Sequence, residues 1–257
     1  MRQMESGVPK RAIPEDSPSL SRVAYTRLRE DILSNALEPD QPLRLEFLRE
    51  RYGLSFSPLR EALNQLQVER LVSSTSNRGF RVATVSLKEM WDAIDTRILI
   101  ETEALRQSLA HGDDDWEGDL VSSLHALDKC RRRLADQNEP PTPKDLETLE
   151  ARHQQFHGGL LGACPSVLLI QLSATLYAQT ERYRRPLLST SAPETVGAMG
   201  PDDEHRAMTA AALDRDAETA VALLRRHLTS TGQFIEAAHR RKAASLPPID
   251  LKAKRAA

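Results

Sequence analysis

Apolar residues recur every three or four positions along most of this chain, the spacing of one buried helix face. From Ser21 onward, Val23, Leu28, Ile32 and Leu33 form such a stripe, which stops near Ser34 and Asn35 ahead of the EPDQP stretch. A second short helix is predicted over 46–52, closed by Gly53. A third follows directly, with Ser57 as its N-cap and Pro58 as its first helical residue. Its apolar positions are Leu59, Ala62, Leu63, Leu66 and Val68. Two β-prone runs come next, over 71–74 and 80–85, around a loop of turn-forming residues at 75–79. The remainder reads as about six helices, near 86–110, 113–137, 143–163, 166–190, 201–214 and 215–242. The breaks fall at Gly112, at Glu139-Pro140-Pro141, at Cys164-Pro165 and over 197–201. No internal repeat is visible.

These elements predict a mainly α protein. Residues 19–85 form a winged helix-turn-helix with a small β-hairpin wing, and 86–242 form an all-helical bundle of about six helices. Residues 1–18 and 243–257 are polar and proline-bearing, and read as a disordered leader and tail. Composition agrees: aromatics are only 4%, too few for a β-rich fold, while Leu, Ala, Arg and Glu favour helix. Lys+Arg is 35 against 37 Asp+Glu, so a uniformly basic nucleic-acid coat is excluded. The balance is uneven, net +2 over 1–85 and net −4 over 86–257, a slight basic excess toward the winged helix. The two cysteines, Cys130 and Cys164, are far apart and exclude a disulfide framework. No apolar run approaches the roughly 20 residues of a membrane span, and no signal-peptide core is visible. A cytoplasmic protein with no membrane contact is expected.

The turn between the second and third helices, GLSFS, is short enough to carry the third helix across the second and present its N-terminus to a DNA major groove. Ser57, Arg60 and Asn64 lie there. A serine hydroxyl donates to phosphate, and an arginine grips phosphate or guanine. The wing tip carries Asn77, Arg78 and Gly79, where Gly79 permits close backbone approach and Arg78 supplies charge. On spacing alone, an ordinary helical bundle with a solvated arginine stays an even alternative. In the helical half, His153 and His157 are spaced i, i+4 beside Leu149, Phe156 and Leu160. His205 shares a stripe with Met208 and Ala212, and His227 follows Leu223 and Leu224 by one turn. Any one of these is ordinarily a core histidine bonded to a carbonyl. Burying four on three helices without a shared partner costs desolvation several times over, and a divalent cation would satisfy all four. Spacing leaves both readings open.

The run PDQPLRLEFLRERYGLSFSPLREALNQLQVERLVSSTSNRGFRVATVS resembles the DNA-binding domain of the GntR family of bacterial regulators. The strongest pieces are SFSPLREAL, the LVxxxxNRGFRV wing and LEPDQPLR. The family commonly has Arg where this chain has Phe56, and some members have a basic residue where it has Glu46. Both changes remove potential DNA contacts. The helical region resembles the FCD ligand-binding domain of the FadR-like branch. That domain commonly carries an Asp–x3–His pair on one helix and single histidines on two later ones. Here His153–x3–His157 stands in place of the pair, and His205 and His227 fall where the later two are expected. The resemblance thus implies a divalent metal ion held by His153, His157, His205 and His227. The neutral set favours zinc or nickel over manganese.

In such a domain the cation serves as an anion receptor. Arg97 resembles the arginine on its first helix, placed to clamp a ligand carboxylate. Pairing of Arg97 with Glu101, one turn away, is the plain alternative. Within ERYRR, Arg182 is the candidate for a second carboxylate, the rest reading as solvated face. PLREALNQLQVERLV, GDDDWEGDL and RHQQFH are most similar to repressors of glutarate and related dicarboxylate catabolism. The implied function is a homodimeric regulator, a repressor. It binds double-stranded operator DNA and is controlled by a small carboxylate at the metal. Two alternatives stand beside it: a metal-dependent enzyme using the four histidines, with Glu204 arguable as base, and a sensor of the metal alone. The enzyme is disfavoured because four protein ligands leave little room for an activated water.

Overall fold

The computed structural model describes residues 18–75, 79–188 and 202–245. Three helices open it: α1 (Leu20–Leu33), α2 (Leu45–Tyr52) and α3 (Phe56–Val68). The Ser19 side chain accepts from the Arg22 N–H and starts α1. Gly53 ends α2 with φ +68°, a left-handed conformation that strains any residue with a Cβ. The start of α3 differs from expectation by two residues. Ser55 takes the N-cap position and Ser57 lies inside the first turn, followed by Pro58. A proline is tolerated there because first-turn N–H groups have no intrahelical partner to lose. Ala24, Leu28, Leu33, Leu48, Leu59, Leu63 and Leu66 close around one apolar core.

Strands β1 (Val72–Thr75) and β2 (Gly79–Val82) pair antiparallel, Val72 opposite Val82 and Thr75 opposite Gly79. The outer edge of β2 is also covered, which the hydrophobic pattern did not reveal. Val82 N–H donates to the Gln41 carbonyl at 3.0 Å and Leu43 N–H to the Phe80 carbonyl at 2.9 Å. The wing is thereby fastened to the α1–α2 connection, leaving no open edge there. Gly79 is exposed at φ +71°. Asn77 and Arg78 lie outside the described residues.

Six further helices follow: α4 (Leu87–His111), α5 (Asp114–Ala135), α6 (Pro143–Leu160), α7 (Val167–Leu188), α8 (Asp202–Leu213) and α9 (Ala217–Ser245). Local signals set their ends. Asp113 caps α5, and a Thr142–Asp145 capping box with Pro143 in the first turn opens α6. The last helix runs through Ser245, past the expected end at 242, so residues 243–245 are helical where the disordered tail was expected to begin; the rest of that tail, the leader through residue 17 and the break at 197–201 lie outside the described residues. Met90, Ile94, Leu105, Leu120, Leu127, Phe156, Leu224 and Ile235 belong to a second apolar core, separate from the first. Helix α9 approaches α4 closely at Gly232, where a Cβ would come within 2.7 Å of the Trp91 ring.

The two parts meet where α1 lies against α7. Arg29 bonds Glu181 at 2.5 Å and Glu69 at 3.3 Å, while Arg185 reaches both oxygens of Glu30 at 2.7 Å. A polar cleft of about 480 Å³ opens between α1, α6 and α7, bordered by Tyr25, Arg29, Glu147, Glu150 and Glu181. Among the described residues no helix is long and apolar enough to cross a membrane.

Candidate metal centre

Four histidines converge in the helical core. Glu150, His153 and His157 share the buried stripe of α6, while α8 supplies His205 and α9 supplies His227. All four are buried, and their ring nitrogens include a set lying within 4.8 Å of one another. The Nε2 atoms of His153 and His157 are 3.1 Å apart. The His205 and His227 ring centres are 4.8 Å apart, those of His157 and His227 5.0 Å.

The outward nitrogens are largely taken. His153 Nδ1 lies 2.8 Å from the Tyr177 hydroxyl, His227 Nδ1 is 3.1 Å from Glu204, and His205 Nδ1 is 3.2 Å from Arg131. Each of those rings is left with Nε2 as its inward nitrogen, and that of His153 is shared with His157 Nε2 at 3.1 Å. His205 Nε2 is buried and has no hydrogen-bond partner, nor has His157 Nδ1. Burial holds all four imidazoles below the usual histidine range, well below it for His153, His157 and His205, and the neighbouring rings add to this in each of these three. At His227 the Glu204 carboxylate partly opposes the shift. Near-neutral pH therefore finds neutral rings with free lone pairs, the form that binds metal.

This donor set fits a divalent cation. Tetrahedral zinc with bonds of roughly 2.0–2.1 Å separates its ligand nitrogens by about 3.3 Å. The His153–His157 spacing is already near that value, and the wider members of the set must close in. Arg131 can only donate, so in this structure His205 Nδ1 accepts. A cation on His205 Nε2 requires the proton on Nδ1, so that contact must rearrange on loading.

The expected anion-binding arginines fall in different places. Arg97 is buried, its Nε 2.8 Å from Glu101 Oε1, with a further bond to Thr180 at 2.7 Å and Tyr177 under its guanidinium. The Glu101 pairing is thus formed. Arg97 still lies close enough to lower the His157 and His227 pKa values. Arg182 is not brought to the cluster. It faces the winged helix, donating to the Arg70 carbonyl at 2.5 Å and pairing with Glu89 at 3.3 Å. The arginines that do join Arg97 near the histidines are Arg131 and Arg184, both buried. Arg184 lies seven residues beyond Tyr177, two helical turns on the same face, whereas Arg182 lies five beyond, but that spacing points to Arg184 only once Tyr177 is known to face the histidines. Glu150, three residues before His153 and seven before His157, was legible on the same stripe, whereas Arg131 and Tyr177 carried no such signal before their helices packed together.

On α3, Ser57, Arg60 and Asn64 are all exposed and spaced three and four residues apart, along one face. Arg60 has no ion pair among the described residues. Phe56 is 37% exposed, with the Arg49 guanidinium 5.1 Å over its ring.

Residues 20–82 match the family described as bacterial regulatory proteins, gntR family, and residues 92–230 match the FCD domain. The chain is 36% identical over 214 residues to the HTH-type transcriptional repressor GlaR of Escherichia coli (strain K12), covering 83% of this chain and 94% of that one. It is 39% identical over 214 residues to the uncharacterized HTH-type transcriptional regulator BphR of Paraburkholderia xenovorans (strain LB400), covering 83% and 84%. Among solved structures, Escherichia coli McbR/YncC superposes with a TM-score of 0.69 at 17% identity, over 87% of this chain and 100% of that one. A transcriptional regulator from Rhodococcus sp. RHA1 gives 0.65 at 20% identity, over 85% and 98%. These two likenesses concern the fold.

Proposed function

The chain belongs to the GntR family of bacterial regulatory proteins, with an FCD domain behind its DNA-binding domain, and from that premise we propose a cytoplasmic, homodimeric repressor whose hold on operator DNA is set by a small carboxylate bound at a divalent cation. The observation that carries this reading is the cluster of four buried, neutral histidines with three buried arginines around it. Residues His153, His157, His205 and His227 would hold the ion, zinc or nickel by their all-nitrogen chemistry. Bound there, the ion supplies a positive, Lewis-acidic anchor for a carboxylate oxygen. Arg97 and Arg184 already have carboxylate partners in Glu101 and Glu150, so the ion itself supplies most of the positive charge that favours an anionic ligand over a neutral one, with the arginines beside it as hydrogen-bond donors. A dicarboxylate such as glutarate offers one carboxylate to the ion and a second to an arginine.

In this reading each winged helix takes one operator half-site. Ser57, Arg60 and Asn64 enter the major groove, and the wing of Asn77, Arg78 and Gly79 lies on the adjacent backbone. Dimerisation has a surface available on the packed pair α4 and α7. Leu99 on α4 is 68% exposed and Leu168 on α7 64%, and in this reading they belong to the subunit contact. Ligand binding shifts the two winged helices relative to each other, and operator DNA must weaken the ligand by the same factor that the ligand weakens DNA.

Calorimetry on the metal-free protein tests the reading, first with zinc and then with glutarate. One zinc per subunit, followed by glutarate binding that needs the zinc and releases operator DNA, is the expected result. Zinc that alone controls DNA, with no carboxylate bound, would make the metal itself the signal. No zinc uptake would return the four histidines to core packing.

A further inference from the structure

The Tyr177 hydroxyl sits at a junction. It donates to Glu150 Oε1 at 2.6 Å, and Arg184 donates to the same hydroxyl at 3.0 Å and also to Glu150. With its one proton committed to Glu150, the tyrosine oxygen can only accept from His153 Nδ1, 2.8 Å away. That assignment puts the His153 proton on Nδ1 and leaves Nε2 as a lone pair facing the other rings. Glu150 and Arg184 are both buried and paired, so the group that fixes the tyrosine is itself held.

Tyr177 also belongs to the helix that touches the winged helix. Glu181, one turn along α7, bonds Arg29, and Arg185, a further turn along, bonds Glu30. Helix α7 therefore carries a histidine-orienting hydroxyl at one level and the ion pairs to α1 one and two turns away. A helix is stiff over one turn, so a displacement at Tyr177 reaches Glu181 nearly whole; Arg185 sits in the last turn beside Pro186, which has no N–H to tie back to Arg182, and follows less rigidly.

We infer that Tyr177 is the positioning residue of the histidine site, fixing the donor atom of His153, and that α7 passes a change at that site to the winged helix through Glu181 and Arg185. This rests on the metal-dependent reading above.

Two variants test the two halves. Tyr177→Phe keeps the ring under Arg97 and Arg184 and removes only the oxygen. Zinc affinity, measured by competition with a chelator, is expected to fall about 10- to 100-fold, with the far-ultraviolet circular dichroism unchanged. Zinc affinity equal to wild type would overturn the positioning role; if Tyr177→Phe fails to fold, Glu150→Gln, which weakens the grip on the hydroxyl, serves in its place. The double variant Arg29→Gln/Glu30→Gln cuts both ion pairs from the α1 side. Its zinc affinity is expected to stay within about twofold of wild type, since neither residue touches the site. The change in operator affinity on adding zinc and glutarate is expected to shrink at least about threefold, tracking the population shift that the contacts no longer bias. A full response in the double variant would overturn the route through α7. A wild-type protein whose operator binding ignores zinc and glutarate would instead refute the proposed function, leaving the Tyr177–His153 geometry to be judged on zinc affinity alone.

Discussion

The winged helix and the helical domain are built from similar helices, but their interiors differ. Among the described residues the winged helix buries no charged side chain; its core is leucine, alanine, isoleucine, valine and Tyr52, with Pro58. The helical domain buries Arg97, Glu101, Arg131, Glu150, Glu181, Arg184 and Arg185 together with four histidines. Burying such groups contributes less stability than apolar packing of the same volume, even when they are paired. In the proposed reading the DNA-binding part carries its chemistry on the surface, where the exposed Arg60 and Asn64 need only a stable frame beneath them. The proposed ligand site lies inside, where its polar groups are tolerated because they are interlocked.

The largest effect expected from this contrast is acid sensitivity confined to one domain. The four buried histidines have folded-state pKa values below the ordinary 6.5. Below that pH the unfolded chain takes up protons that the folded metal-free protein refuses. Stability is therefore highest above 6.5 and is lost as pH falls toward the folded-state values, by up to about 1.4 kcal/mol per pH unit for each group. The winged helix contains no histidine. Both tryptophans, Trp91 and Trp116, lie in the helical domain. Urea unfolding followed by tryptophan fluorescence should shift to lower midpoint between pH 7.5 and 5.5; an unmoved midpoint would break the contrast.

Next in size is the Arg97–Glu101 pair. Glu101→Ala strands a buried guanidinium and is expected to cost about 3–5 kcal/mol, whereas Arg97→Met/Glu101→Leu should recover most of it. In the winged helix the comparable insult is a cavity: Leu63→Ala at a fully buried position should cost about 2–5 kcal/mol, with no dependence on zinc. His157→Ala is expected to weaken zinc by at least about 100-fold, roughly 2.7 kcal/mol, and to abolish any glutarate response. Smallest, Arg60→Ala should weaken operator binding by about 1–3 kcal/mol and leave the urea midpoint where it was. A matching loss of stability would mean that the exposed face of α3 is structural after all.

Helix periodicity and caps made most of the elements legible. Gly53, the Thr142-Pro143 start and the Gly112 break all act within a turn of themselves, so a linear reading captures them. The α3 start was misplaced by two residues because Ser55 and Ser57 are both acceptable caps and only the packed turn chooses. The docking of residues 40–43 onto β2 left no local mark, since Pro42 and Leu43 look like ordinary loop.

The candidate site divides along the same line. The spacing of His153 and His157 and the apolar neighbours of His205 and His227 already point all four rings inward, because helix geometry relates side chains within one segment by number alone. Which arginines join them is a relation between helices: Arg182 and Arg184 differ by two residues in the chain, yet one faces the winged helix and the other the histidines. The sequence by itself determined the helices, their buried faces and the donor set. Only the tertiary structure decided that Tyr177 orients His153, that Glu204 holds His227 and that α7 meets α1 through ion pairs. Such contacts span dozens of residues, and their partners are fixed by how whole helices rotate and dock to fill two apolar cores.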